Sequence, residues 1–148
     1  MSDENETPET ESTDLALPEK KAQEEVTKWL DFKKVSESRR DDSKGNIKVL
    51  VEAISKGHVI LNEDMTLTHK LLFPIEDSKG SPAVTELKYK PRIKVETVLH
   101  HLQGVKAGDA DGRVLATLAA VAGKSRGLLV KMDSEDYSIS QAVVVFFL

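Results

Sequence analysis

Few residues in this sequence have the types and spacing to do chemistry. Cysteine is absent, which excludes disulfides, thiolate metal sites and a thiol nucleophile, and fits a reducing cytoplasm. His100 and His101 are adjacent, and helix neighbours point about 100° apart, so they do not converge on a metal as i, i+4 residues do. His58 and His69 fall on neighbouring strands and read as a half-buried pair. Gly123-Lys124-Ser125 has the ending of a phosphate-binding loop. The earlier glycine of that motif belongs at position 118, which is Leu118, and the stretch follows a helix rather than a strand. Asp109-Ala110-Asp111-Gly112 opens like a calcium loop but lacks the later ligands and the closing glutamate; it reads as a capped loop. Serines concentrate in loops and nothing marks a nucleophile elbow. The expectation is a protein that is no enzyme, with no catalytic, cofactor or metal site.

The surrounding elements read as α+β: a small antiparallel three-stranded sheet, two helices before it and three to four after it. Met65 to Phe73 alternates, putting Met65, Leu67, His69, Leu71 and Phe73 on one face, and Pro74 closes the run. Glu76 to Pro82 has turn composition, and the chain returns through Ala83 to Tyr89, ended by Lys90-Pro91. His58 to Leu61 makes the third strand of a meander. Val84 to Leu87 breaks strict alternation, which a bulge near Glu86 reconciles. Before the sheet, Pro18 opens a helix with Ala22, Val26, Trp29, Leu30 and Lys33 on one face; Phe32 and Val35 fall off it. Ser36 to Gly45 reads as linker, and Asn46 caps a second helix carrying Ile47, Leu50, Val51 and Ile54. After the sheet come a helix with Val95, Val98, Leu99 and Leu102 inward, then an alanine-rich helix from Arg113 to Ala122 ended by Gly123. The last helix starts at Asp133-Ser134-Glu135-Asp136, with Tyr137, Gln141, Val144, Val145 and Leu148 as its stripe.

Three segments follow: residues 1–17 as a disordered acidic tail, 18–57 as a helical segment, and 58–148 as meander plus helices. Whole-chain net charge is −4. Residues 1–19 hold seven carboxylates and no base, so residues 20–148 sum to +3. No clustered basic stripe with stacking aromatics suggests nucleic acid, and no window approaches the roughly 18 apolar residues of a membrane span. Trp29 is the single tryptophan, a packing residue or an anchor for a partner's groove. The run Val143 to Leu148 either docks on its own domain or forms part of a partner interface.

Leu71-Leu72-Phe73-Pro74-Ile75, the turn, Val84-Thr85-Glu86-Leu87-Lys88-Tyr89-Lys90-Pro91, an Ala/Leu-rich helix ending at Gly123 and a last helix with Asp136-Tyr137 resemble one known family. It is that of the tail assembly chaperones of long-tailed phages, the E-type proteins of P2-like phages and their Mu-like counterparts. The resemblance covers roughly residues 65–148; residues 1–60 exceed the family's short N-terminus. It implies a non-enzymatic chaperone in the host cytoplasm that keeps the tape-measure protein soluble during tail morphogenesis. A structural tail or baseplate-hub subunit of the virion is the alternative. It also implies a longer product made by −1 frameshifting near Phe147-Leu148. On this reading Trp29, Val144, Val145, Phe146, Phe147 and Leu148 contact the partner, and deleting Phe146–Leu148 weakens client binding while the domain stays folded.

Overall fold

The computed structural model describes residues 16–148. The acidic stretch read as a tail lies, through residue 15, outside the described residues. Its last residue, Leu17, is anchored: the Leu17 amide donates to the Ser55 carbonyl at 3.0 Å, and Ser55 Oγ donates to the Leu17 carbonyl at 2.8 Å.

Helices α1 (Glu19–Lys33), α2 (Glu37–Asp42) and α3 (Lys44–Ser55) precede strands β1 (Val59–Leu61), β2 (Leu67–Glu76) and β3 (Pro82–Tyr89). Helices α4 (Val95–His101), α5 (Ala110–Ala122), α6 (Arg126–Leu129) and α7 (Ser134–Val144) follow, with a 3-10 turn over Val145–Phe147. The fold is therefore α+β, with an antiparallel sheet in the order β1-β2-β3 and helices on both sides of it in sequence.

Local chemistry explains most boundaries. Lys34 adopts φ 60° after α1 and its amide donates back to Asp31. The segment read as linker contains α2, because Ser36 Oγ accepts the Arg39 amide and so caps a short turn. Asp109 caps α5 through the Gly112 amide at 2.9 Å, which starts that helix three residues before the expected Arg113. Gly123 ends it at φ 67°. Ser125, in the fragment resembling a phosphate loop, caps α6 through the Leu128 amide.

One core joins the N-terminal helices to the rest. Ala22, Val26, Trp29 and Leu30 of α1 meet Leu50, Val51 and Ile54 of α3, the inner face of β2, and Val143, Val144 and Phe146. Ala116, Ala119 and Ala120 of α5 are buried, and small side chains there allow close helix approach. Trp29 is 1 % exposed and packs edge-on against Phe146, ring centroids 6.0 Å apart. Its Nε1–H has no acceptor among the described residues, a cost that its packing area offsets.

Two faces differ from the sequence reading. In α4, Val98 and Leu102 are half-buried, whereas Val95 and Leu99 point into solvent. In α7 the inward stripe is Asp136, Ile139, Ser140 and Val143, with Gln141 exposed. Asp136 and Ser140 interrupt a buried face otherwise made of Ile139, Ala142, Val143 and Val144, so apolar periodicity alone misplaces it.

Because Phe146 fills space against Trp29, removing Phe146–Leu148 should open the core, where the sequence reading expected a folded truncation. Phe146→Ala should cost about 3–5 kcal/mol in urea unfolding, whereas exposed Leu148→Ala should leave the midpoint unchanged. Equal effects would contradict this packing.

Candidate functional site

The centre of the molecule is an interruption in β2. Residues Leu67 to Lys70 pair with Tyr89 to Glu86 in regular antiparallel register, and pairing resumes only at Ile75 with Val84. Leu71 to Pro74 therefore stand opposite Thr85 alone. The expected bulge exists, but on β2 rather than near Glu86 of β3. Pro74, which has no amide hydrogen, lies inside it and does not close the strand. Leu71 stays buried, while Leu72 and Phe73 both turn outward. Phe73 thus leaves the inner face to which alternation assigned it.

A bulge leaves amides without ladder partners. Here the Leu72 amide donates to Asp136 Oδ1 at 2.8 Å and the Phe73 amide to Asp136 Oδ2 at 2.9 Å. Asp136 comes from the first turn of α7 and is fully buried. His69 Nε2 lies 3.3 Å from Asp136 Oδ1, out of line for a hydrogen bond. His69 Nδ1 is 2.7 Å from the Tyr89 hydroxyl, which is 2.7 Å from Ser140 Oγ. A ring nitrogen facing a carboxylate carries the proton, so Nδ1 accepts from Tyr89 and Tyr89 accepts from Ser140.

Burial sets the charges of this group. Desolvation holds the His69 imidazole below its ordinary range, against the opposing pull of Asp136, so the ring is neutral. Burial also raises the Tyr89 phenol, which the Ser140 hydrogen bond only partly offsets. His58 is only half-buried and does not join the group. The sequence reading placed Asp136 as a dipole-favoured helix start and left Ser140 out. The available signal was the i, i+4 spacing of Asp136 and Ser140, which puts both on the face that Ile139 and Val143 share.

The residues expected to contact a partner divide. Trp29, Val144 and Phe146 are buried, Val145 and Phe147 are half-buried, and Leu148 is exposed. Phe147 is covered by Lys33, whose Nζ sits 3.5 Å from the ring centroid and donates to the Pro91 carbonyl at 2.9 Å. Burial, then the nearby Arg39 and Arg92 charges, lower Lys33 to about 8.

No family model, curated protein or solved structure matches this chain. Among the described residues no three His, Asp or Glu side chains gather as a metal site, and no helix is long and apolar enough to cross a membrane. The four converging polar groups are sealed inside. The surface instead offers apolar hollows. One of about 470 Å³ runs between α5, α6 and the start of α7, floored by Leu115, Leu129, Val130, Met132 and Tyr137 with Asp109 and Asp111 on its rim. It meets a second hollow, rimmed by His100, His101 and Arg126, at Leu115 and Val130.

Asp136→Ala leaves two amides unpaired and should cost about 3–5 kcal/mol, whereas Asp133→Ala removes only a cap and should cost about 1 kcal/mol. The pH dependence has a definite sign. A base whose folded pKa is lowered stabilises fully above its unfolded value of 6.5 and loses that contribution as pH falls toward the folded value. Urea midpoints should therefore drop below pH 6.5 in wild type, with a shallower decline in His69→Phe. Parallel curves would count against a neutral buried imidazole.

Proposed function

We propose that this protein is a non-enzymatic tail assembly chaperone that binds the tape-measure protein during tail morphogenesis in the host cytoplasm. The observation that carries this reading is the cleft between α5, α6 and α7, open to solvent and floored by aliphatic and aromatic side chains. Clefts of that kind receive the apolar stripe of an amphipathic helix, and a tape-measure protein is a long helical client. The order of the β2–turn–β3 hairpin, the alanine-rich α5 ending at Gly123 and an Asp136-Tyr137 helix supports it as well. The contact residues move accordingly, from Trp29 and Phe146, which pack inward, to Val130, Met132 and Tyr137.

The competing reading is a structural subunit of the tail or baseplate hub. What favours it is the continuity of α1–α3 with the main core, since the family has only a short N-terminus. Mass spectrometry of purified particles separates the two, because a chaperone is missing from them and a subunit is stoichiometric.

Co-expression with a tape-measure fragment provides the direct test. Wild type should keep the fragment soluble, and exposed-site Val130→Glu should lower the soluble yield roughly tenfold, the effect of about 1.4 kcal/mol in binding, without lowering its own melting temperature. An unchanged yield would remove the cleft from the reading.

A further inference from the structure

Two exposed apolar patches share no residue with the lining of the cleft, and their rims carry opposite charge. The first is the knuckle of the β2 bulge. Leu72 is 42 % exposed and Phe73 53 %, although a regular strand would turn Phe73 inward. The buried Asp136 carboxylate holds the backbone in the conformation that keeps both side chains in water. Bulges characteristically re-aim side chains in this manner. Glu76, Asp77 and Asp133 line the hollow beside Phe73 against a single lysine, Lys131. Glu135 lies in the hollow beside Leu72, where Lys56 is already paired with Glu52 at 2.9 Å.

The second patch is on α4. Val95 is 74 % exposed and Leu99 58 %, and their i, i+4 spacing puts them on one side of the helix. Lys90, Arg92 and Lys94 lead into that helix against one acid, Glu96. Positive charge also flanks both ends of the segment, since Lys33 Nζ donates to the Pro91 carbonyl at 2.9 Å and Arg126 Nη2 to the Gln103 carbonyl at 2.6 Å. The patches share no residue.

We propose that these patches bind each other between copies of this chain, the Leu72–Phe73 knuckle of one against Val95 and Leu99 of the next. An acidic rim meets a basic rim around an apolar centre, the arrangement that steers and registers an interface. The same-charge alternative, knuckle on knuckle, sets carboxylate against carboxylate. Because the two surfaces differ, the contact is head-to-tail and leaves one of each free at the ends of a row. The assignment is independent of what fills the α5–α7 cleft.

Light scattering on the full chain tests it. The weight-average mass should rise above the 16.3 kDa monomer with protein concentration and fall back as salt goes from about 0.05 to about 0.5 M. Phe73→Lys and Leu99→Asp should each be monomeric, with Val95→Asp as a second variant on the basic patch. Mixing Phe73→Lys with Leu99→Asp should restore a 1:1 pair of twice the monomer mass and no larger species, since one good surface of each kind remains. A wild type that stays monomeric, single variants that still associate, or a mixture that stays monomeric would each overturn the proposal.

Discussion

The structure depends on one carboxylate meeting two amides. A buried carboxylate is costly unless donors surround it, and a strand bulge is costly unless its freed amides find acceptors. Asp136 and the Leu72–Phe73 amides meet both needs at once, at 2.8 and 2.9 Å. That meeting fixes where α7 stands along β2. It thereby brings Ser140 under Tyr89 and His69 beside the carboxylate, a chain of polar side chains closed within an apolar core. Moving α7 along the sheet breaks every one of these contacts together.

The same interaction separates inside from outside. Polar groups that look reactive on a list, a histidine, an aspartate, a tyrosine and a serine, hold secondary structure together here and meet no solvent. Among the described residues a few large apolar side chains, Leu72, Phe73, Val95, Leu99 and Val130 among them, stand exposed beside charged ones. The proposed binding of other polypeptide chains draws on that distribution, in the cleft of α5–α7 and on the two smaller patches. Asp136 is linked to one of these patches directly, because Phe73 faces water only while its amide is held from below.

Much of the fold was legible in the residues. Three strands, the turns between them, the glycine end of α5 and the capped start of α7 all follow from local chemistry that operates within a few positions. The bulge was legible as broken alternation and was assigned to the wrong strand, because what decides its place is Asp136, more than sixty residues away in sequence. The inner face of α7 was misplaced for a related reason: Asp136 and Ser140 interrupt its buried apolar residues, and hydrophobic periodicity passes over them. α4 was misread in the opposite sense, since Val95 and Leu99 have the spacing of a core face without a core to meet. Trp29 and Phe146 drew attention as apolar residues of unclear placement, and only tertiary packing says that they find each other.

Pro74 gives the clamp a direction. The two amides that Asp136 holds are the last before a residue with no N–H, so a strand displaced by one position would offer Asp136 the Phe73 amide and a bare prolyl nitrogen. Half of the carboxylate's hydrogen bonding disappears in that arrangement, and the shifted hairpin is disfavoured before side-chain packing has any say. A proline that seemed to mark where a strand stops lies inside it and weighs against the shifted register.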